Sequence, residues 1–402
     1  MPKTITDLKV EETLDSRGRP TLAVALSSGE VATRVAVPSG KSTGRREAVE
    51  LRDADGVGVK QAIKLAHEVI KPALIGLEVD QTKIDQTLLE LDGTPEKRRL
   101  GGNNLIGISM AVASLTAKLA GKPLWQSIAE SGGWRPKLPK WYLNIINGGV
   151  HADFLLPFQE YMIILDGQSP RANYDQAHKI FDQLGEIIKA RYGEVSLGDE
   201  GGYSPKLGSL EAPFELLVEV TKRESPEIKF AIDAAASEFL ERGHYRVLGQ
   251  DLKPRELLAH YEKLVKKFPL TSIEDPFAED DLASFEEIVV KLGQGIDIVG
   301  DDLTTTNPAE IKKMIEHRGA NAVIIKPNQI GTMTETYEAV KLAQAAGWGV
   351  IISHRSGDTP DAFIADLAVG VGADGIKAGS PNPPERRAKY ERLIEIAEQE
   401  MV

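Results

Sequence analysis

Six short apolar segments between Lys229 and Gly379 each end at a charged residue. The residues that end them are Asp233, Glu274, Asp301, Lys326, His354 and Lys377. Carboxylates, amines and imidazoles are groups that bind cations and transfer protons. If these side chains converge, the three carboxylates would need a divalent cation, because like charges without a counter-ion repel. Oxygen ligands in a chain without cysteine favour Mg²⁺ or Mn²⁺ over zinc.

The spacing of these residues predicts the architecture that would bring them together. They follow one another at intervals of roughly 25 to 40 residues, which is the length of a strand, a helix and two loops. Short apolar runs without alternation are typical of strands buried on both faces of a parallel sheet. In a closed barrel of strands and helices the carboxyl ends of the strands meet on one face. We therefore predict an α/β protein with a C-terminal (β/α)8-type barrel. One Asp after a strand is more often a turn or capping residue, but six such residues are hard to explain that way.

The N-terminal third predicts a smaller α+β domain. Its apolar patterns predict three strands and then four helices, near residues 4–13, 21–26, 30–37, 58–72, 80–91, 103–120 and 123–130. The glycines and prolines of GGWRPKLPK, residues 132–140, break any regular element. We therefore expect an N-terminal domain over residues 1–135 and the barrel over residues 136–402.

A loop of small residues, PSGKSTGRRE, follows the third predicted strand. Its glycines allow close approach of the backbone to a ligand, and Ser42 offers a hydroxyl group. A flexible surface hairpin is an equally good interpretation of this segment alone.

A second motif, LGDEGGYSP, is typical of a strand end that opens into a tight turn, so Glu200 is expected on the face where the barrel residues converge.

Composition limits the classes of function. The chain has 402 residues, a formal charge of −12, 42% apolar residues and no cysteine. The negative charge argues against nucleic acid and against an anionic membrane surface as partners, although a small anion could still bind where cations are clustered. The N-terminus lacks the apolar core of a signal peptide, so we expect a soluble, cytoplasmic protein without disulfides.

The chain resembles the enolase family over essentially its whole length. The motifs that carry the resemblance, in chain order, are LDSRG (14–18), SGKSTG (39–44), ELDGTP (90–95), INGGVHAD (146–153), QEYMI (159–163), GDEGG (198–202), AASEF (235–239), SIEDPFAEDD (272–281), GDDLTTTNP (300–308), NQIGT (328–332) and SHRSGDTPDAFIADLAVG (353–370). Each motif is weak alone, but their joint order and spacing are specific. The resemblance implies the enolase variant of the barrel with an N-terminal α+β capping domain that carries a mobile active-site loop.

The resemblance also implies a reaction and a set of site residues. The reaction is the reversible, Mg²⁺-dependent dehydration of 2-phosphoglycerate to phosphoenolpyruvate in glycolysis and gluconeogenesis. The first of two Mg²⁺ ions would be held by Asp233, Glu274 and Asp301. Ser42 would join a second Mg²⁺ that arrives with the substrate phosphate.

The proton-transfer and substrate-binding residues follow from the same resemblance. Lys326 would remove the proton beside the substrate carboxylate, and Glu200, with Glu160 beside it, would help the hydroxyl group leave. The remaining pocket residues would be Lys377 at the carboxylate, Arg355 and Ser356 at the phosphate, and His151, Gln159 and His354. Taken singly, each has an ordinary structural alternative; Arg355, for example, could pair with Asp358.

Two pKa shifts are expected if these roles hold. Lys326 must be neutral to act as a base, so its pKa should fall from about 10.4 to roughly 7–8, with Lys377 and the metal charges as the cause. Glu200 must carry a proton to act as an acid, so neighbouring carboxylates such as Glu160 should raise its pKa.

The chain departs from the family pattern at several positions. Lys41 and Arg45 add positive charge to the small-residue loop, and we predict that Lys41 reaches the substrate phosphate or an acidic residue of the closed lid. The segment 154–158 is unusually apolar and contains Pro157, and Pro327 directly follows the expected base. Pro327 should fix the backbone without disturbing the Lys326 side chain.

The sequence leaves the assembly of the chain open. At the positions of two ion pairs of the usual family dimer this chain has Glu11 with Glu385 and Ala23 with Glu395, and Pro383 replaces an arginine. A homo-oligomer is therefore possible only through other contacts.

Two other functions stay open: a diverged lyase acting on a related phospho- or phosphono-carboxylate, and a non-catalytic protein on the same scaffold.

Overall fold

The computed structural model describes residues 3–41, 44–152, 155–167, 169–225 and 227–401. Its N-terminal part opens with an antiparallel sheet of three strands, β1 (Asp7–Leu14), β2 (Pro20–Ser28) and β3 (Val31–Ala36). The strands confirm the predicted meander. Buried residues alternate with exposed ones along β1 and β3, so one face of the sheet packs inward.

Helices cover that inner face. They are α1 (Lys60–Leu65), α2 (Lys71–Leu74), α3 (Gln81–Asp92), α4 (Gly102–Ala120) and α5 (Leu124–Gly132), with one π-helical turn, Ala66–Ile70, between α1 and α2. Gly107 lets α4 lie close to the sheet, because a Cβ atom there would be 2.7 Å from side-chain carbons of Val24 and Val37. Sheet and helices form the predicted α+β layer.

The rest of the chain is built on a closed barrel. The remaining strands are β4 (Lys140–Asn147), β5 (Glu160–Leu165), β6 (Lys229–Asp233), β7 (Leu240–Glu241), β8 (His244–Val247), β9 (Gln250–Leu252), β10 (Leu270–Glu274), β11 (Asp297–Gly300), β12 (Ala322–Ile325), β13 (Gly349–Ser353) and β14 (Gly375–Lys377). The barrel order is β4, β5, β6 and then β10 to β14, which pairs back with β4. This confirms the α/β barrel.

One barrel strand runs against the others. β5 pairs antiparallel with both β4 and β6, whereas all other neighbouring pairs of the barrel are parallel. Because β5 is reversed, its first residue, Glu160, lies at the end of the barrel where the other strands finish. The reversed strand is how the barrel departs from a uniform (β/α) repeat.

Helices surround the barrel and complete its outer layer. They are α6 (Pro170–Tyr192), α7 (Ala212–Thr221), α8 (Pro254–Lys267), α9 (Leu282–Leu292), α10 (Pro308–His317), α11 (Pro327–Ile330), α12 (Met333–Ala345), α13 (Phe363–Gly370) and α14 (Pro384–Glu395), which continues into a π-helical turn, Ile396–Glu400. No single helix in the described ranges has the length and apolar character to cross a membrane. Only α4 and α5 together meet that test, across a bend of 101°.

Two local features were missed by the sequence patterns. The strands β7, β8 and β9 form a small antiparallel sheet between β6 and α8, joined by turns at which Gly243 and Gly249 have positive φ angles. These strands are only two to four residues long, too short to show a period. The second feature is the π-helical turn that divides the predicted helix 58–72.

Candidate active site

The six residues that end the apolar segments meet at one end of the barrel. Asp233, Glu274 and Lys377 are the last residues of β6, β10 and β14, and Asp301, Lys326 and His354 directly follow β11, β12 and β13. A pocket at this end is lined by five of them together with other predicted site residues, among them His151, Gln159, Glu160, Glu200, Arg355 and Ser356. Glu274 reaches the same group through Lys377, to whose ammonium group it is bonded.

Lys377 lies at the centre of the carboxylates. Its Nζ atom is 2.8 Å from both carboxylate oxygens of Glu274, 3.2 Å from Oδ2 of Asp233 and 3.0 Å from Oε1 of Glu160. Burial favours the neutral amine, but these acids raise the pKa of Lys377 well above its usual range. Lys377 is therefore a fixed cation in the pocket.

Lys326 is paired with a single acid. Its ammonium group contacts Oδ2 of Asp301, whose other oxygen accepts a hydrogen bond of 2.9 Å from Nε2 of Gln329. Burial lowers the pKa of Lys326, but Asp301 outweighs burial, so that the pKa is raised to about 12. Among the protein groups alone, the shift is therefore opposite to the one expected from the sequence. Pro327 opens α11, and the Lys326 side chain is directed at Asp301.

The carboxylates have the chemistry of a divalent-cation site. Asp233 and Glu274 are register partners on adjacent parallel strands. Burial and the neighbouring Asp233 raise the pKa of Glu274 well above normal, against the influence of Lys377 and Lys326. Oxygen donors in such excess fit Mg²⁺.

The three predicted ligands do not all share one tight group. Among the described residues, groups of three whose ligand atoms lie within 4.8 Å of one another are Asp275 with Asp301 and Asp302, and His151 with Glu160 and Glu200. Asp233 and Glu274 instead meet at Nζ of Lys377, while Asp301 lies against Lys326. Each of the two ammonium groups thus pairs with a different part of the predicted ligand set.

The Glu200 carboxylate accepts a hydrogen bond from one side chain and faces two histidines. Oε2 accepts a bond of 2.9 Å from Nδ2 of Asn144 and lies 3.4 Å from Nε2 of His354, and Oε1 lies 3.7 Å from Nδ1 of His151. Burial alone would raise the pKa of Glu200, but the two histidines lower it well below its usual range. Burial and the charge of Glu200 raise the pKa of Glu160 instead. The sequence therefore assigned the raised pKa to the wrong member of this pair.

The predicted phosphate residues lie under the small-residue loop. Both terminal nitrogens of Arg355 donate to Glu47, at 2.8 and 3.3 Å, and both side chains are buried. Gly40 is required here, because a Cβ atom at this position would collide with the Arg355 guanidinium group. Oγ of Ser356 accepts a hydrogen bond of 2.9 Å from the backbone N–H of Lys41. Asp358, the alternative partner considered for Arg355, pairs with Arg386 and Lys389.

Lys41 bridges the loop to the barrel. Its Nζ atom is 2.8 Å from Oδ2 of Asp199 and 3.1 Å from the backbone oxygen of Val150. Asp199 belongs to the LGDEGGYSP motif and not to the lid, so this contact differs from the two that were predicted for Lys41. Ser42, the predicted ligand of a second metal ion, lies outside the described residues.

The apolar segment before β5 belongs to the core. Among its described residues, Leu156 and Phe158 are fully buried, and the Phe158 ring packs against Tyr161, Phe239 and Tyr261. This packing fixes the start of β5, where Gln159 donates a hydrogen bond of 3.2 Å to Asp233. The packing of this segment therefore positions Gln159 in the site.

Sequence reasoning missed several residues that hold the predicted ones in place. Asn144 fixes Glu200, Gln329 fixes Asp301 and Glu47 fixes Arg355. Gln329 lies in the motif NQIGT and Asn144 lies two residues before the motif INGGVHAD, but nothing in their spacing gives their contacts. The fourth, Arg386, contacts His354 from α14.

The positions of the expected dimer ion pairs are used within the chain. Ala23 is 2% exposed in the β1–β2–β3 sheet, and Glu395 lies 2.9 Å from Arg392 on its own helix. Glu11 pairs with Lys9. These residues therefore offer no complementary pair across an interface of that kind.

Comparisons with known proteins agree with this geometry. The sequence model described as "Enolase, C-terminal TIM barrel domain" matches residues 136–401, and the one described as "Enolase, N-terminal domain" matches residues 5–128. The chain is 45% identical to "Enolase" of Methanopyrus kandleri, with 99% of this chain and 96% of that relative covered. It is 43% identical to "Enolase B" of Dictyostelium discoideum, with 98% and 95% covered, and 47% identical to "Enolase 1" of Methylococcus capsulatus, with 95% and 94% covered.

Proposed function

The chain belongs to the enolase family and is a lyase; from this premise we propose how its residues interconvert 2-phosphoglycerate and phosphoenolpyruvate. The observation that supports the proposal best is the division of the pocket into two sides. Lys326 and Asp301 lie on one side, Glu200 and Glu160 on the other, and Lys377 lies among the acids between them. The names of the relatives favour neither of the alternative functions.

Lys326 is the proposed base. A proton next to an ionised carboxylate is barely acidic, so its removal requires both a neutral amine and strong stabilisation of the new negative charge. The amine is neutral only if the influence of Asp301, which raises the pKa of Lys326 to about 12, is weakened. Asp301 is also a proposed metal ligand, and a carboxylate engaged with a cation attracts the lysine proton less.

Glu200 and Glu160 form the proposed acid side. Glu200 is held by Asn144 and faces the two histidines, which favour its ionised form. Glu160 has the raised pKa and is the member of the pair that holds a proton. We infer that the proton for the leaving hydroxyl group is stored on Glu160 and passes through Glu200. In the reverse direction, ionised Glu200 takes a proton from water.

Mg²⁺ is the proposed cofactor, with two ions for each active site. When bound, it supplies positive charge that stabilises the doubly charged carboxylate intermediate. Asp233, Glu274 and Asp301 are the proposed ligands of the first ion, and Ser42 is the proposed ligand of the second. Their support is the excess of buried carboxylates and the family membership.

Cations on the chain would hold the two charged ends of the substrate. Lys377 is proposed to bind the substrate carboxylate, and Arg355 and Ser356 the phosphate. Arg355 is already ion-paired with Glu47, so a phosphate would extend an existing charged network instead of facing a lone cation. Lys41, bonded to Asp199, would hold the loop over this end of the pocket.

We propose a division of the chain at residues 135 and 136, which is supported by the breaker segment GGWRPKLPK and by the separate sheet and barrel. A cytoplasmic location is supported by the expected role in glycolysis. Any homo-oligomer would have to form without the usual ion pairs of the family, because Ala23 and Glu395 cannot supply one of them.

The test is the appearance of phosphoenolpyruvate by its ultraviolet absorbance. The purified chain is given 2-phosphoglycerate with and without Mg²⁺, and Lys326→Ala serves as the blank. We expect product only with the unaltered chain and Mg²⁺. Turnover of a phosphonate analogue in preference to 2-phosphoglycerate would favour the diverged lyase, and no turnover of either would favour the non-catalytic scaffold.

A further inference from the structure

A buried arginine on α14 supports the histidine of the acid side. Arg386 has no solvent exposure, and its backbone N–H bonds the carbonyl oxygen of Pro383 at the start of the helix. Nη1 lies 2.6 Å from Nδ1 of His354 and 2.6 Å from the backbone oxygen of Arg355. Nη2 donates to the backbone oxygens of Ser356, at 2.7 Å, and Asp199, at 3.3 Å.

Both hydrogen atoms on Nη1 of this guanidinium group are used in hydrogen bonds. Each terminal nitrogen carries two hydrogens and no lone pair that could accept a bond. The two shortest contacts of Nη1, to His354 and to the Arg355 carbonyl, use both of its hydrogens. Nδ1 of His354 must therefore accept, since a hydrogen on it would point at another hydrogen.

We propose that Arg386 fixes His354 in the neutral tautomer whose proton is on Nε2, and so directs an N–H group at the acid side of the pocket. A histidine ring that accepts at Nδ1 and is neutral carries its proton on Nε2. Nε2 lies 3.4 Å from Oε2 of Glu200. Arg386 bonds to His354 and to backbone oxygens, and its described hydrogen bonds do not include the Glu200 side chain, so it is a positioning residue. The proposal depends on the proposed function only for its effect on turnover.

The groups around His354 favour the same state. Burial is the strongest influence and lowers the pKa of His354, Arg386 lowers it too, and Glu200 and Asp358 oppose both; the net result is a pKa of about 4. Asp358 lies 3.3 Å from Nη1 of Arg386 and 3.2 Å from Nζ of Lys389, so its charge is balanced. The imidazolium form would place two cations in contact at 2.6 Å.

The fixed donor has a consequence for Glu200. Oε2 already accepts a hydrogen bond from Asn144, and an Nε2–H group directed at it from 3.4 Å places positive charge near the carboxylate and favours its ionised form. The opposite tautomer would present a lone pair to that carboxylate and repel it. Arg386 thereby helps to decide which carboxyl of the Glu160–Glu200 pair is ionised.

Nitrogen NMR of the full-length protein tests the tautomer directly. Histidine side chains labelled with ¹⁵N are observed in the presence of Mg²⁺, and the His354 signals are assigned by their loss in His354→Gln. Between about pH 6 and 8 we expect an unprotonated Nδ1 and a protonated Nε2 with no change of shift. A protonated Nδ1, or an imidazolium near neutral pH, would overturn the proposal whether or not the chain is active.

Variants of Arg386 separate positioning from support of the fold. Arg386→Met should release the tautomer, move the His354 titration toward neutral pH and lower kcat roughly tenfold or more, with less effect on KM. Arg386→Lys keeps a donor and should restore the Nε2–H signal at least in part. The matched control is Arg387→Met, an exposed neighbour on the same helix. An unchanged His354 spectrum in folded Arg386→Met would contradict the proposal, and if that variant does not fold, the spectrum of the unaltered chain decides.

Discussion

Glu160, the first residue of β5, lies directly opposite Asp233, the last residue of β6. This pairing exists because β5 runs antiparallel to its neighbours, so the start of one strand meets the ends of the others. If β5 ran parallel to its neighbours, its last residue and the one that follows would lie on this face. Its first residue, Glu160, would then lie at the opposite end of the barrel. The reversed strand thus brings a carboxyl group with a raised pKa into contact with Glu200 and Lys377.

Replacement of the proposed base should abolish proton removal. Lys326→Ala is expected to lower turnover by about a factor of 10² to 10⁴, since that is the range of a positioned general base. The measurement is exchange of deuterium from solvent into the carbon beside the substrate carboxylate, together with kcat. The control is Lys312→Ala, an exposed lysine on α10. If exchange persists in Lys326→Ala, another group removes the proton.

Loss of one proposed ligand should weaken Mg²⁺ binding. Asp233→Asn keeps the shape of the side chain but removes its charge, so affinity for Mg²⁺ should fall at least about tenfold. Isothermal titration calorimetry gives the dissociation constant without any need for turnover. Glu316→Gln, an exposed carboxylate on α10, serves as the control and should bind as the unaltered chain does. Equal affinity in both variants would exclude Asp233 as a ligand.

The sequence predicted the barrel because buried parallel strands leave a clear pattern. Asp233, Glu274 and Lys377 end apolar runs, and the closed sheet brings those ends together. The same pattern does not give the direction of β5, since an apolar run reads the same in either direction. The signal for the reversal was the connection 148–159, which contains only a single 3₁₀ turn, Gly149–Ala152, among its described residues and returns as a hairpin.

Charge states were less predictable than positions. The sequence placed Glu200 and Glu160 together but could not show that two histidines face Glu200, which reverses the direction of its pKa shift. From the sequence we expected repulsion by Lys377 to lower the pKa of Lys326, whereas the direct contact with Asp301 raises it. Such contacts join residues from distant parts of the chain, so neither spacing nor periodicity determines them.

The loop contact of Lys41 should contribute modestly to substrate binding. Its side chain is 38% exposed and its partner Asp199 is 24% exposed, and pairs of this kind contribute at most about 1 kcal/mol. Lys41→Ala is therefore expected to raise KM by no more than about fivefold, with the larger effect at low salt. Asp199→Asn should have a similar effect if the pair is responsible. A tenfold or larger rise in Lys41→Ala alone would mean that Lys41 binds the phosphate directly.

The Arg355–Glu47 pair should be important for stability. Both side chains are less than 10% exposed, so Glu47→Gln leaves a buried cation without its carboxylate and should lower the free energy of unfolding by about 3–5 kcal/mol. Urea unfolding measures the loss, with Glu338→Gln as an exposed control. The double variant Glu47→Gln with Arg355→Met should recover part of the stability, because the buried guanidinium charge is removed together with the carboxylate. A further loss in the double variant would show that other contacts of Arg355 matter more.

The buried, neutral His354 should make the protein less stable in acid. Its pKa is lowered from 6.5 to about 4 in the fold, so the unfolded chain binds a proton at a pH where the folded chain does not. This contribution to stability is present above about pH 6.5 and is lost as the pH falls toward 4; between pH 7 and 4.5 the loss is about 2 kcal/mol. Buried acids with raised pKa values, such as Glu274, act in the opposite direction. The comparison of urea unfolding in the unaltered chain and His354→Gln at both pH values therefore measures the histidine together with its effect on Glu200. The unaltered chain should lose about 2 kcal/mol more than the variant, and an equal loss in both would mean that the fold does not lower the pKa of His354.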